Sequence, residues 1–213
     1  MWSRLCFERH RALRGVAAAI LAAALAGCAS APRPAEGEAA SQAAADIPAE
    51  ARTRFEEATS MMAAGDLTEA ELRLEAFVLE YPDYPGAWVD LAILHTAQED
   101  DAAAETCITK ALELEPEHAV ALNQLGMLRR RQGRFAEAED AYLKAVTADP
   151  EYALAHYNLG VLYELYMQQL ETALQHFERY QELSGEDEQV AKWIVDLQRR
   201  VSATQRTASA SEG

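Results

Sequence analysis

Apolar positions along the chain follow two different rules. Gly15-Val16-Ala17-Ala18-Ala19-Ile20-Leu21-Ala22-Ala23-Ala24-Leu25-Ala26 runs without a charge, behind a start that carries Arg4, Arg9, Arg11 and Arg14. From about residue 50 onward, apolar residues instead recur at helical spacing, broken by turn-forming pairs such as Gly65-Asp66 and Gly133-Arg134. That second region repeats itself every 34 residues. Pro82, Pro116 and Pro150 stand in register, as do Leu91, Leu125 and Leu159, the small residues Ala92, Gly126 and Gly160, and the series Ala70, Ala104 and Ala138. Each interval holds two amphipathic stretches around one turn, which predicts a pair of helices. Val190, Trp193, Ile194, Leu197 and Val201 then fall at i, i+3, i+4, i+7 and i+11 and predict a further single helix. The pattern predicts nine helices, four pairs and one unpaired.

The second interval, 85–118, reads Trp88-x₂-Leu91-Ala92-x₂-His95, then Ala104-x₃-Ile108, then Pro116. The third, 119–152, reads Leu122-x₂-Leu125-Gly126-x₂-Arg129, then Ala138-x₃-Tyr142, then Pro150. A 34-residue period with this grammar resembles the tetratricopeptide repeat family, whose helix–turn–helix units stack on copies of themselves. The resemblance implies an all-α fold: an α-solenoid of about four such units over 49–186, a C-terminal capping helix over 187–202 and a disordered tail over 203–213. Leu122 and Arg129 depart from the family's Trp and Tyr. The first unit, 51–84, keeps Phe55, Ala58, Ala70, Leu74, Phe77 and Pro82 but has Arg54 and Glu57 at early apolar positions, as suits the end of a stack. The fourth, 153–186, opens with His156-x₂-Leu159-Gly160-x₂-Tyr163, but Ala173-x₃-Phe177 arrives one residue late. An extra residue is therefore expected around Tyr166–Gln169, and Ser184-Gly185 replaces the closing proline. Glu99-Asp100-Asp101 fills the turn of the second unit without a glycine.

The apolar run at 15–26 is too short to cross a bilayer, which takes roughly 20 residues. A basic start, a short apolar middle and small residues at its end describe a secretory signal peptide over 1–27. It closes in Leu25-Ala26-Gly27-Cys28, which resembles the lipobox cut by lipoprotein signal peptidase. The resemblance implies lipidation of Cys28 through its thiol, further acylation of the freed amine, and stable anchoring by two or more chains. Ala29, a non-Asp residue behind Cys28, implies the outer membrane and its periplasmic face. The competing cleavage, after Ala29-Ser30-Ala31, would place Pro32 behind the scissile bond, where the ordinary signal peptidase cuts poorly. Residues 28–48 are rich in Ala, Pro, Ser and Glu without large side chains and are expected to form a disordered tether.

Composition narrows function more than it names it. Half of the 213 residues are apolar, and 19 Lys and Arg face 35 Asp and Glu, a net charge of −16. Removal of 1–27 takes four Arg and one Glu with it and leaves a net −19. Such a surface repels nucleic-acid phosphates. Cys6 and Cys28 lie at the N-terminus and Cys107 stands alone in the repeats, so no disulfide framework is expected and Cys107 reads as a small buried hydrophobe. His95, His118, His156 and His176 form no HExxH or other i, i+4 ligand pair; the packing role is expected for His95 and His156. No Gly-rich phosphate loop, GxSxG or CxxC is present, and Glu99-Asp100-Asp101 lacks the spacing of a calcium loop. No catalytic residue, metal, cofactor or small-molecule substrate is expected.

Function is therefore expected on the face built by the first helix of each pair. The residues placed there are Phe55, Thr59, Met62, Val89, Ile93, Asn123, Met127, Arg130, Tyr157, Val161 and Glu164. An apolar surface with a few polar points suits an extended or helical peptide. Some members of the family grip a C-terminal carboxylate with Lys, Arg and Asn on these helices; here Val89, Asp90, Ile93, Tyr157 and Asn158 stand at that surface without a Lys. The expected function is a non-catalytic scaffold, an outer-membrane lipoprotein that presents its groove to cell-envelope proteins of pilus-secretin, outer-membrane or peptidoglycan assembly. The alternative is a soluble periplasmic subunit that associates with itself through its repeats.

Overall fold

The structure, a computed structural model, describes residues 48–185 and 187–211. The expected signal peptide, Cys28 and nearly all of the tether lie outside the described residues. Two-helix units follow one another along the chain: α1 (Ala49–Ala64) with α2 (Leu67–Glu80), α3 (Pro85–Ala97) with α4 (Asp101–Leu114), α5 (Ala119–Arg131) with α6 (Phe135–Ala148), and α7 (Ala153–Leu162) with α8 (Leu170–Ser184). A single helix, α9 (Glu188–Ser211), closes the array. Within each unit the helices pack on each other, the second helix then meets the first helix of the next unit, and α9 packs on α8. No strand occurs among the described residues, so the fold is the expected α-solenoid.

The turns explain the sequence register. Gly65 and Gly133 adopt left-handed φ of 87° and 73°, and Glu99, in register between them, takes φ 61° with a side chain attached. Gln168 (φ 55°) holds the same station in the fourth unit, one residue late. That extra residue is absorbed in a π-helical turn, Tyr163–Met167, which extends α7 before the chain reverses. The insertion expected around Tyr166–Gln169 is thus a local widening of one helix rather than a longer loop.

Packing inside each unit depends on one close approach. A Cβ placed on Gly126 would lie 2.9 Å from Tyr142 Cγ, and one on Gly160 would lie 2.8 Å from Phe177 Cδ1. Tyr142 and Phe177 are completely buried in these contacts, each burial stabilising the fold by about 1.5–3 kcal/mol. Ala92 has the same station in the second unit, and there the second-helix residue is Ile108 rather than an aromatic ring. Glycine stands where a ring crosses the helix, and alanine where a branched aliphatic does.

The ends differ from the middle. Arg54 reaches Glu80 at 2.6 Å and lies 6.0 Å over the Tyr81 ring, while Glu57 pairs with Arg73 at 3.5 Å. The polar substitutions of the first unit thus bind its two helices to each other along a half-exposed edge. At the other end the array is covered by Val190, Ile194, Leu197 and Val201, with Trp193 against Phe177 and Tyr157. The expected tail over 203–213 needs correction, because α9 continues to Ser211. No Gly or Pro interrupts that stretch, and the Ser202, Thr204 and Thr207 hydroxyls donate back to the carbonyls of Gln198, Arg200 and Ala203.

Candidate peptide groove

Residues placed on the first-helix face from the sequence divide into three groups. Val89 (3% exposed) and Asn123 (1%) are packed into the seams between first helices and cannot meet a partner directly. Tyr157 stacks among Phe177, Tyr180 and Trp193, with centroids 5.3–6.2 Å away, and Glu164 accepts from Arg200 of α9 at 2.6 Å. Phe55 meets Phe77 and Tyr84 at 5.6 and 4.9 Å, and Met62 packs on the same cluster. These four knit the array. Thr59, Ile93, Met127, Arg130 and Val161 remain half-exposed, and Thr59 donates to the Glu56 carbonyl at 3.0 Å.

The seams hold a second series that the sequence reading did not assemble. Asp90, Gln124 and Asn158 follow one another at 34-residue steps on α3, α5 and α7. In the last seam Asn158 Nδ2 donates to Asn123 Oδ1 at 2.9 Å, and Asn123 Nδ2 in turn reaches the Tyr152 hydroxyl at 3.5 Å. Val89 stands where Asn123 stands one unit later. Gln124 Oε1 and Asp90 Oδ2 are enclosed without a hydrogen-bond partner. Burial alone pushes the Asp90 carboxyl up to about 6. The signal for this series lay in the register itself, three polar residues at one helical station.

Other polar groups are committed to structure. Arg129 fills the family's Tyr station by pairing with Glu105 at 2.7 Å, and Arg131 binds the Asp101 carboxylate and the Thr96 carbonyl. His118 accepts from the Ala121 amide at 3.3 Å and caps α5, while His95 approaches Glu71 at 3.6 Å. His156 and His176, 20 residues apart, meet with their Nδ1 atoms 3.1 Å from each other, and Tyr163 stacks on His176. Burial, then the neighbouring His156, pushes His176 down to about 4. Cys107 is buried and its thiol is pushed up to about 11 by desolvation, so it is protonated and unreactive. Among the described residues no group of three His, Cys, Asp or Glu is placed to hold a metal ion.

A separate cleft of about 830 Å³ opens between α4 and α6, with Leu112, Leu122, Leu125 and Ala141 among its lining residues. Leu122 holds the station of Trp88, whose indole donates to the Pro82 carbonyl at 2.7 Å one unit earlier. The smaller side chain leaves this interval unfilled. Among the described residues, no helix is long and apolar enough to cross a membrane.

Comparison with known proteins agrees with this architecture. Two tetratricopeptide repeat family models match residues 83–151 and 123–188. Among solved structures, Pseudomonas aeruginosa pilF superposes with a TM-score of 0.64 at 23% identity, over 78% of this chain and 72% of that one. MamA 41-end from Desulfovibrio magneticus RS-1 gives 0.59 at 21% identity, over 76% and 92% of the two chains. The first TPR of Spaghetti (RPAP3), bound to an HSP90 peptide, gives 0.51 at 21% identity, over 55% and 93%. At these identities the likeness is one of fold. No curated protein matches the sequence. The chain belongs to the tetratricopeptide repeat family, and its array is a protein–protein interaction scaffold.

Proposed function

We propose that this scaffold is an outer-membrane lipoprotein that holds its first-helix groove in the periplasm for cell-envelope proteins. The observation that carries the reading is Leu25-Ala26-Gly27-Cys28 behind a basic, apolar leader and ahead of a tether low in large apolar residues. A thiol at that point is the acceptor for a diacylglyceryl group, and further acylation makes the anchor stable. The groove itself is non-catalytic: it offers half-exposed Ile93, Met127 and Val161 with few polar points, as peptide-binding surfaces do. A lipobox-like cysteine ahead of a tetratricopeptide array is a layout similar to that of pilotin lipoproteins of envelope assembly. Work in β-barrel insertion or peptidoglycan synthesis uses the same layout.

Mass spectrometry of the mature N-terminus tests the anchor. A first residue of Cys28 carrying acyl chains supports the reading. An unmodified N-terminus at Pro32, with a Cys28→Ala variant that fractionates like the native protein, would replace it by the soluble, self-associating periplasmic subunit.

A further inference from the structure

The geometry points to a basic segment as the ligand of this groove, a peptide whose Lys or Arg side chain is received by Asp90 at the seam between α1 and α3. The inference rests on the scaffold reading and adds the chemistry of the partner. Asp90 is an acid left without a cation. Of the basic side chains on α1 and α5, Arg54 pairs with Glu80, Arg129 with Glu105 and Arg131 with Asp101, while Arg52, whose charge acts on Tyr84 as that of Asp90 does, makes no ion pair with Asp90. Among the described residues no ion pair reaches the Asp90 carboxylate, and its Oδ2 has no donor. An enclosed acceptor without a donor is a standing cost that a ligand can remove.

The surroundings suit an alkyl cation. Gly86 lies one helical turn before Asp90 on α3, and a Cβ there would sit 3.3 Å from the Tyr84 ring and 3.5 Å from Phe55. Asp90 therefore shares its helix face with an aromatic corner that can cover a Lys or Arg stem and meet its charge. One unit along, Gln124 is buried at the same register station, so the part-exposed carboxyl of Asp90 is the acceptor of this series that a bound segment can reach. The net −16 charge of the chain steers a basic partner toward this surface and an acidic one away.

The experiment uses the full-length protein in detergent and fluorescein-labelled Ala/Leu peptides of one length, bearing Lys, Gln or Glu at the same positions. Fluorescence anisotropy at physiological salt is expected to rank Lys ahead of Gln by about tenfold, with Glu weakest. Asp90→Asn erases most of that preference, whereas Glu75→Gln, an exposed acid on α2, leaves it intact. The Lys preference also fades from pH 7.5 toward 5 as Asp90 takes up its proton; Arg52 and Glu56 of α1 and the Tyr84 hydroxyl are the other groups whose charges meet there. Equal binding of the Lys and Gln peptides overturns the inference, and that comparison needs no variant. Equal losses from Asp90→Asn and Glu75→Gln overturn it too, because the effect is then the overall field. Envelope proteins that copurify while none of the peptides binds would sink the basic ligand and leave the scaffold standing.

Discussion

Asn158 on α7 donates its amide to Asn123 on α5 across 2.9 Å, inside a seam where both residues are buried. Breaking one side leaves the other unsatisfied, so Asn123→Ala is expected to cost about 1–3 kcal/mol. Replacing both by Leu removes the polar pair together and is expected to be close to neutral. Urea unfolding of the two single variants and the double variant measures the difference.

The contact between Gly126 and Tyr142 makes a second, coupled pair. Gly126→Ala pushes a methyl into the ring and is expected to cost about 1–3 kcal/mol by overpacking. In the second unit Ala92 and Ile108 are found at these stations. Gly126→Ala with Tyr142→Ile should therefore lose less than the two single losses added together, by at least ~0.5 kcal/mol in a double-mutant cycle. Strict additivity would mean that the two positions are not matched.

Glu99 occupies a left-handed turn that glycine occupies one unit before and one unit after. Glu99→Gly is expected to stabilise the array by about 0.5–1 kcal/mol, the relief of a left-handed side chain outweighing the added freedom of the unfolded chain. Gly133→Ala is expected to destabilise it by a similar amount. Thermal melts of the two variants against the native chain test both signs.

Asp90 and His176 carry opposite pH dependence. Asp90 sits at about 6 in the fold against 3.8 free, so its contribution is complete below 3.8 and is lost as pH rises through 6. His176 sits at about 4 against 6.5, so its contribution is complete above 6.5 and is lost as pH falls through 4. Asp90→Asn is expected to raise stability at pH 7 by on the order of 1 kcal/mol after solvent screening, with no gain at pH 4. His176→Gln is expected to flatten the acid side instead. Denaturant midpoints at pH 4, 5, 6 and 7 separate the two.

Much of the fold was legible because a repeat writes each packing rule several times. Gly126, Gly160, Leu91 and Leu159 each announced a contact that the structure shows in the same place, while Leu125, at the same station, is only partly buried. The turn positions were legible as well, down to the unit that arrives one residue late, although a π-helical turn at Tyr163–Met167 left no residue-type mark. Less of the groove could be read. Position on a first helix did not separate Val89 and Asn123, which fill seams, from Ile93 and Val161, which stay half-exposed, because that outcome depends on the neighbouring unit. The pairing of His156 with His176 joins two helices at a spacing that no local motif encodes. The extension of α9 to Ser211 was hidden by Ser and Thr, whose hydroxyls bond back to the helix rather than ending it.

The account places function on the first-helix face, and affinity capture of the lipidated chain from solubilised membranes tests this most directly. The native protein is compared with Ile93→Glu/Val161→Glu, which charges two part-buried groove positions, each resting on the edge of a buried cluster. Cell-envelope proteins recovered with the native chain and lost with this variant, at equal folded content by circular dichroism, are the predicted result. The same proteins recovered equally with both would contradict it.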